Sequence, residues 1–259
     1  MIDSHCHLAD PAFAGDLEAV VQRARAAGVS TGLCILAYGE EGELRQATTV
    51  RRLWPELHLS LGAHPHQAHV FANREPEVTD AVQAALAAVP SPRAIGEIGL
   101  DYHYDFSPRD VQRAVFASQV RLARELRLPV IVHTREADED TVAIVRDEGG
   151  GEVRGVFHCF SGTEALARQA LDLGFFLSFS GIVTFPRAEP LRQIAATVPN
   201  DRLLVETDCP YLAPVPMRGK RNEPAWVVRT AEVLAQVRET PLQEIDRLVT
   251  ANFAALLGG

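Results

Sequence analysis

The chain has 259 residues, a formal net charge of −9, 47% apolar residues and 23% charged residues. That balance excludes a disordered or fibrous protein, and no run of about 18 apolar residues exists to cross a membrane. The acidic surplus also excludes a broadly basic surface, so a polyanion has to be met by a local cationic patch.

The opening residues Met1-Ile2-Asp3-Ser4-His5-Cys6-His7 lack the basic-then-apolar profile of a secretory leader. Cys6, Cys34, Cys159 and Cys209 form no C-x-x-C pair and no disulfide framework. A cytoplasmic protein, working as a monomer, is the expectation.

Read in chain order, short apolar runs of strand length alternate with longer amphipathic ones. Residues 2–7 predict the first strand, followed by a helix over 16–27 that Gly28 closes. Strands at 31–36 and 58–62 flank a helix at 41–53. The fourth strand is 94–98, and Ser107-Pro108 then reads as the cap and first turn of a helix at 109–126. Strands at 130–133, 155–158, 175–179 and 203–206 are separated by helices at 138–148, 164–173 and 191–198. Gly149 and Gly174 close two of these. Helices at 226–238 and 242–257 end the chain.

Near-continuously apolar strands alternating with helices are the pattern of a buried parallel sheet. Eight such units predict one (β/α)8 TIM barrel over residues 1–259, with an extra C-terminal helix. An open doubly wound sheet is the alternative, because one strand more or less changes the count. No linker or low-complexity segment marks a domain boundary.

Reactive residues fall at the strand ends. His5 and His7 close the first strand, His64 and His66 follow the third, and Glu97 lies late in the fourth. His133 and His158 end the fifth and sixth, and Asp208 follows the eighth. The C-terminal mouth of a barrel is assembled from such ends. Side chains two apart on a strand face the same way, so His-x-His delivers two imidazoles to one point. Asp3 shares that parity one layer deeper, which predicts a carboxylate holding a ring N–H. Glu97, between isoleucines, is expensive to bury unless cations compensate it; a satisfied structural glutamate is the bland alternative. Together these residues supply four imidazoles and two carboxylates, enough for two divalent ions of the Mg, Mn or Zn class sharing Glu97. Cys6, pointing the other way by strand alternation, reads as packing.

The loop after the eighth strand carries Arg218, Lys220 and Arg221, which suit phosphate oxygens or are simply a solvated basic loop. His64 and His66 are placed to contact substrate, or to cap the turn around Pro65. Asp101 and Tyr102 follow Glu97 closely enough to line the cleft, with Tyr102 able to stack on a base. The absence of a long basic track favours a single-stranded end over a duplex.

The segments Ile2-Asp-Ser-His-Cys-His-Leu8, Gly62-Ala-His-Pro-His66, Ile95-Gly-Glu-Ile-Gly-Leu-Asp-Tyr102, Val130-Ile-Val-His-Thr-Arg135, Phe157-His-Cys-Phe-Ser-Gly162, Glu206-Thr-Asp-Cys-Pro-Tyr-Leu212 and Arg218-Gly-Lys-Arg-Asn-Glu-Pro224 span nearly the whole chain. In that order they resemble the TatD-related metal-dependent deoxyribonucleases, relatives of the amidohydrolase barrels. The resemblance implies one metal on His5, His7, Glu97 and Asp208, and a second on Glu97, His133 and His158. It implies a hydrolase acting on nucleic acid ends or other ester-type bonds, which with the short basic track reads as an exonuclease on single-stranded DNA or RNA, with Asp208 and Glu97 as the catalytic carboxylates. Asp208 would orient or deprotonate a water shared by the two ions, whose pKa they lower. Glu206 would lie beneath it as support. The alternatives are a hydrolase of small amides or esters, aminoacyl esters of tRNA included, and a barrel that binds metal without catalysis.

Overall fold

The structure, a computed structural model, describes residues 1–258. Eight parallel strands follow one another around a single sheet: β1 (Ile2–Cys6), β2 (Thr31–Ala37), β3 (His58–Gly62), β4 (Pro92–Asp101), β5 (Val130–Arg135), β6 (Gly155–Phe157), β7 (Phe176–Phe179) and β8 (Leu203–Val205). The chain forms a nearly closed TIM barrel. Its seam is completed beyond the last strand, where Cys6 bridges Cys209 in parallel. His7 N–H donates to Cys209 O at 2.8 Å there, and Asp208 N–H donates to His5 O at 3.0 Å. The seam therefore carries three of the predicted site residues, His5, His7 and Asp208, on its own hydrogen bonds.

The outer layer consists of α1 (Leu17–Ala26), α2 (Glu41–Leu53), α3 (Val78–Ala88), α4 (Arg109–Leu126), α5 (Asp138–Gly149), α6 (Glu164–Asp172), α7 (Glu189–Thr197), α8 (Val227–Val237) and the extra C-terminal helix α9 (Leu242–Leu257). Each turns an apolar stripe inward. In α4, for instance, Val111, Val115, Phe116, Val120 and Ala123 recur at helical spacing and are all buried. Helix α3 was not among the expected elements, although Val78, Val82 and Leu86 show the same spacing and face the core.

Two of the predicted caps differ. Ser107 does not cap α4: its hydroxyl donates to His66 O and accepts from His69 N–H, so it ties the loop after β3 to the start of α4. The left-handed residue that ends α5 is Gly150, at φ 58°, one position later than expected. Gly28 and Gly174 do adopt positive φ where α1 and α6 end.

Strand ends are shifted as well. β1, β6 and β8 stop at Cys6, Phe157 and Val205, so His7, His158 and Glu206 lie just past the ladder, while β4 and β5 run on to Asp101 and Arg135. More consequential are two irregularities of register. In β1, Asp3 pairs with Gly32 but Cys6 with Cys34, and in β4, Ile95 pairs with Val130 but Ile98 with Val132. Each strand therefore carries one extra residue beside a predicted ligand, the kind of irregularity that re-aims side chains next to active sites. Among the described residues no helix is long and apolar enough to cross a membrane.

Candidate metal centre

Glu97 sits at the middle of the barrel mouth, and its two carboxylate oxygens face different partners. Oε1 lies 2.6 Å from His158 Nε2, 2.8 Å from His133 Nδ1 and 3.4 Å from His64 Nε2. Oε2 lies 3.5 Å from His5 Nε2 and 4.0 Å from His7 Nε2. Asp208 closes the second group, with Oδ1 at 3.3 Å from His7 Nε2 and 3.6 Å from His5 Nε2. It comes from a residue held in the left-handed region at φ 57°, a sparsely populated conformation for an aspartate.

This arrangement fits divalent cations. His5 Nε2 and His7 Nε2 point at each other across 3.1 Å, and His158 Nε2 lies 3.4 Å from His133 Nδ1. Lone pairs brought this close repel unless a proton or a cation stands between them. His5, His7 and Glu97 can offer one ligand atom each within 4.8 Å of one another, as can His64, Glu97 and His133. The donors are nitrogen and oxygen. The buried thiols of Cys6, Cys34 and Cys209 belong to neither group, and Cys6 Sγ instead donates to Leu33 O.

The electrostatics have the same origin. Burial opposes the charge on His158 and His133, but the charge of Glu97 on the first and hydrogen bonds to Asp101 and Glu97 on the second raise both above the ordinary histidine range. His7 is buried too, yet its hydrogen bond to Asp208 and the nearby carboxylate charge lift it to about 9. Burial and the neighbouring His158 charge lower His5. Glu97 and Asp208 resist the effect of burial through the facing imidazoles, and both stay ionised well into the acid range.

His64 differs from the other rings. Its Nδ1 accepts from the His66 backbone N–H at 3.1 Å, so the ring carries its proton on Nε2, the atom facing Glu97. Burial pushes its pKa down to about 4 and keeps it neutral. His64 thus caps the turn around Pro65, as one of the two sequence readings had it, and in addition turns a hydrogen-bond donor toward this site. His66 Nε2 and His133 Nε2 both approach Asp101 Oδ2, at 3.0 and 3.2 Å. Asp101 therefore orients the ring of His133 from the rim side.

The two predicted supporting carboxylates behave differently. Asp3 does not hold an imidazole N–H: its Oδ1 and Oδ2 accept from Thr207 N–H at 2.8 Å and from the Thr207 hydroxyl at 2.6 Å. The extra residue in β1 breaks the parity on which the expectation rested, so Asp3 secures the segment leading to Asp208 instead. Glu206 accepts from Cys159 N–H at 2.7 Å and lies 3.3 Å from His158 Nδ1. It supports the histidine side more directly than Asp208. His5 Nδ1 and Glu206 Oε2 are buried without a hydrogen-bond partner among the described residues.

Above the centre opens a cavity of about 810 Å³, lined by His7, His64, His66, Glu97, Asp101, His133, His158 and Asp208. Tyr102 lies outside it; its hydroxyl meets Asp140 and Arg109 covers its ring. Arg218 packs its guanidinium on Phe185 at 3.8 Å, and neither it nor Lys220 lines the cavity. The aromatic and basic lining comes from Tyr104, Tyr211 and Arg135, which the sequence reading did not select. Arg135 could have been found there: it stands two residues after His133, with the same parity and nearer the mouth.

A sequence model described as TatD related DNase matches residues 2–258. Among similar proteins, a metal-dependent hydrolase of Bacillus subtilis, YabD, is 40% identical over 97% of this chain and 96% of its own length. The Klebsiella pneumoniae protein named 3'-5' ssDNA/RNA exonuclease TatD is 34% identical over 100% of this chain and 98% of its own. The crystal structure of YJJV, a TatD homologue from Escherichia coli K12, superposes with a TM-score of 0.87 at 30% identity, covering 100% of this chain and 98% of that one.

Proposed function

Since this chain belongs to the TatD-related DNase family of metal-dependent hydrolases, we propose that it shortens single-stranded DNA or RNA from an end, using two divalent ions of the Mg, Mn or Zn class. The observation that carries this reading is Glu97, whose Oε1 and Oε2 face separate groups of imidazole nitrogens. In this assignment His5, His7, Asp208 and Glu97 hold one ion, and Glu97, His133 and His158 hold the other. When bound, such ions make water nucleophilic at neutral pH and offset charge developing on phosphoryl oxygens.

The chain's own residues supply the rest. Asp208, kept ionised by His7 and His5, is the base that orients the attacking water and accepts its proton. The neutral His64, protonated on Nε2, turns that N–H toward Glu97. Glu206 holds the side of His158 turned away from the cavity. A cavity of about 810 Å³ suits the terminal part of a single strand, whose unstacked end can enter where a duplex cannot. The name of the Klebsiella relative extends this reading to removal from the 3' end.

A second reading rests on the opposite rim, where Asp10, Glu40 and Glu43 line the cavity. Carboxylates there would suit an ammonium group, such as that of an aminoacyl ester. The deciding experiment is turnover of end-labelled single-stranded DNA by metal-stripped protein, titrated separately with magnesium, manganese and zinc. Stepwise shortening that returns with metal, and is lost in His133→Ala, supports the nuclease reading. Cleavage of amino-acid esters in preference to bis-p-nitrophenyl phosphate supports the second.

A further inference from the structure

Among the described residues, Arg135 is the only lysine or arginine that lines the cavity. It ends β5, two positions after His133, so its side chain leaves on the same face about 7 Å nearer the mouth. Its guanidinium lies 4.7 Å from the centre of the Tyr104 ring and meets no carboxylate among the described residues. Nearby cations are already neutralised: Arg109 pairs with Asp105 and Arg113 with Asp140. The adjoining carboxylate of Glu136 is taken by His103, at 2.6 Å.

Tyr104 is itself held in place. Its backbone N–H donates to Asp101 Oδ1 at 3.0 Å, while Asp101 Oδ2 takes His133 and His66. The Tyr104 ring stacks on Phe106 at 5.3 Å with 3° between planes, and the edge of His66 meets both rings. Yet Tyr104 is 49% and Phe106 61% exposed. Large aromatic rings kept rigid while half in water lose apolar burial, and a rigid exposed ring is what a planar ligand group stacks on. One carboxylate, Asp101, thus fixes this shelf relative to His133.

We infer that Arg135, held against Tyr104, binds the phosphate next to the one at the metal centre, and that the adjoining base stacks on the exposed ring of Phe106. This rests on the nuclease reading and gives it a direction: the strand leaves the mouth over β5. A guanidinium stacked on an aromatic ring keeps its N–H groups in plane and free for phosphate oxygens. The distance between the layers of His133 and Arg135 is comparable to the step between neighbouring phosphates of a single strand. Across the mouth, Asp10, Glu40 and Glu43 repel the strand from the other side.

The test uses metal-loaded protein and a short fluorescent phosphorothioate oligothymidylate, whose binding is read by anisotropy at several salt concentrations. Arg135→Gln is expected to weaken binding about tenfold and to reduce the slope of log affinity against log salt by about 0.7, one phosphate contact to a single strand. Arg135→Lys should keep the slope and recover part of the affinity, because lysine retains the charge without the planar fork. Phe106→Ala should weaken binding about fivefold or more, but not when the base above it is replaced by an abasic residue. Unchanged affinity and slope in Arg135→Gln would overturn the inference; cleavage of ordinary oligothymidylate by the parent protein then shows separately whether the nuclease reading survives. Binding that depends on Arg135 in a protein that cleaves no oligonucleotide would uphold the subsite and overturn the nuclease reading. A parent protein that neither binds nor cleaves the strand would overturn both.

Discussion

Gly99 on β4 and His133 on β5 are register partners, and a Cβ built on Gly99 would stand 1.9 Å from the His133 carbonyl oxygen. With Gly99 at φ 146°, a side chain is excluded both by its own backbone conformation and by the neighbouring strand. The close approach brings β4 against β5 beside Glu97. Gly99→Ala is therefore expected to destabilise the fold by about 2–4 kcal/mol and to displace His133. A denaturant midpoint measured together with bound-metal content checks both parts; wild-type values for each would show that the strands can part without cost.

Glu97 reaches both groups of histidines, so its replacement should affect both ions together. Glu97→Gln keeps the shape while losing the charge and one acceptor oxygen. The expected result is loss of bound metal at both positions and a fall in activity beyond the roughly 10–100-fold typical of a supporting residue. Glu206→Gln, which alters the carboxylate behind His158, should fall within that smaller range. Metal analysis after dialysis, run in parallel with turnover, separates the two. Retention of one full equivalent in Glu97→Gln would argue against a shared carboxylate.

Asp208 combines a place beside His5 and His7 with the proposed task of taking a proton from water. Asp208→Asn is expected to lower kcat by about 10²–10⁴ with a much smaller change in KM, as for loss of a general base. The readout is steady-state kinetics on bis-p-nitrophenyl phosphate at saturating metal, with occupancy measured on the same sample. Near-normal turnover at full occupancy would remove Asp208 from the role.

Metal uptake should release protons. Without metal, His7 titrates at about 9, held up by Asp208 and Glu97 against burial, and His133 and His158 are also raised by their carboxylate partners. His7 therefore holds its proton at neutral pH and the balance at His133 and His158 is shifted the same way, whereas a ligating imidazole must present a lone pair. The sign follows: affinity is weaker below the raised pKa values and strengthens as pH rises through them. Calorimetric titration in buffers of different ionisation enthalpy should show proton release near neutrality that shrinks toward pH 9; buffer-independent heats would contradict it.

Much of the barrel was legible from the sequence because strands buried on both faces read as continuous apolar runs, and the glycines at 28 and 174 mark where helices turn back. The convergence of His5, His7, His133, His158, Glu97 and Asp208 followed from the same reading, since strand ends of a barrel meet at one mouth. Helix α3 was missed although its spacing was present in Val78, Val82 and Leu86. Strand parity failed for Asp3 because one extra residue in β1 lies between it and Cys6, and a register irregularity belongs to a pair of strands rather than to one.

What the sequence determined by itself was therefore the set of elements and the chemistry they bring together, because burial period and residue type are local properties. The tertiary structure alone decided which atoms face each other. It turned the two oxygens of Glu97 toward different histidines, set the proton of His64 on Nε2 through the His66 backbone, and sent Asp3 to Thr207. It also left Arg135 on the cavity wall while covering Phe185 with Arg218. These outcomes depend on distances between strands and loops far apart in the chain, which no local pattern encodes.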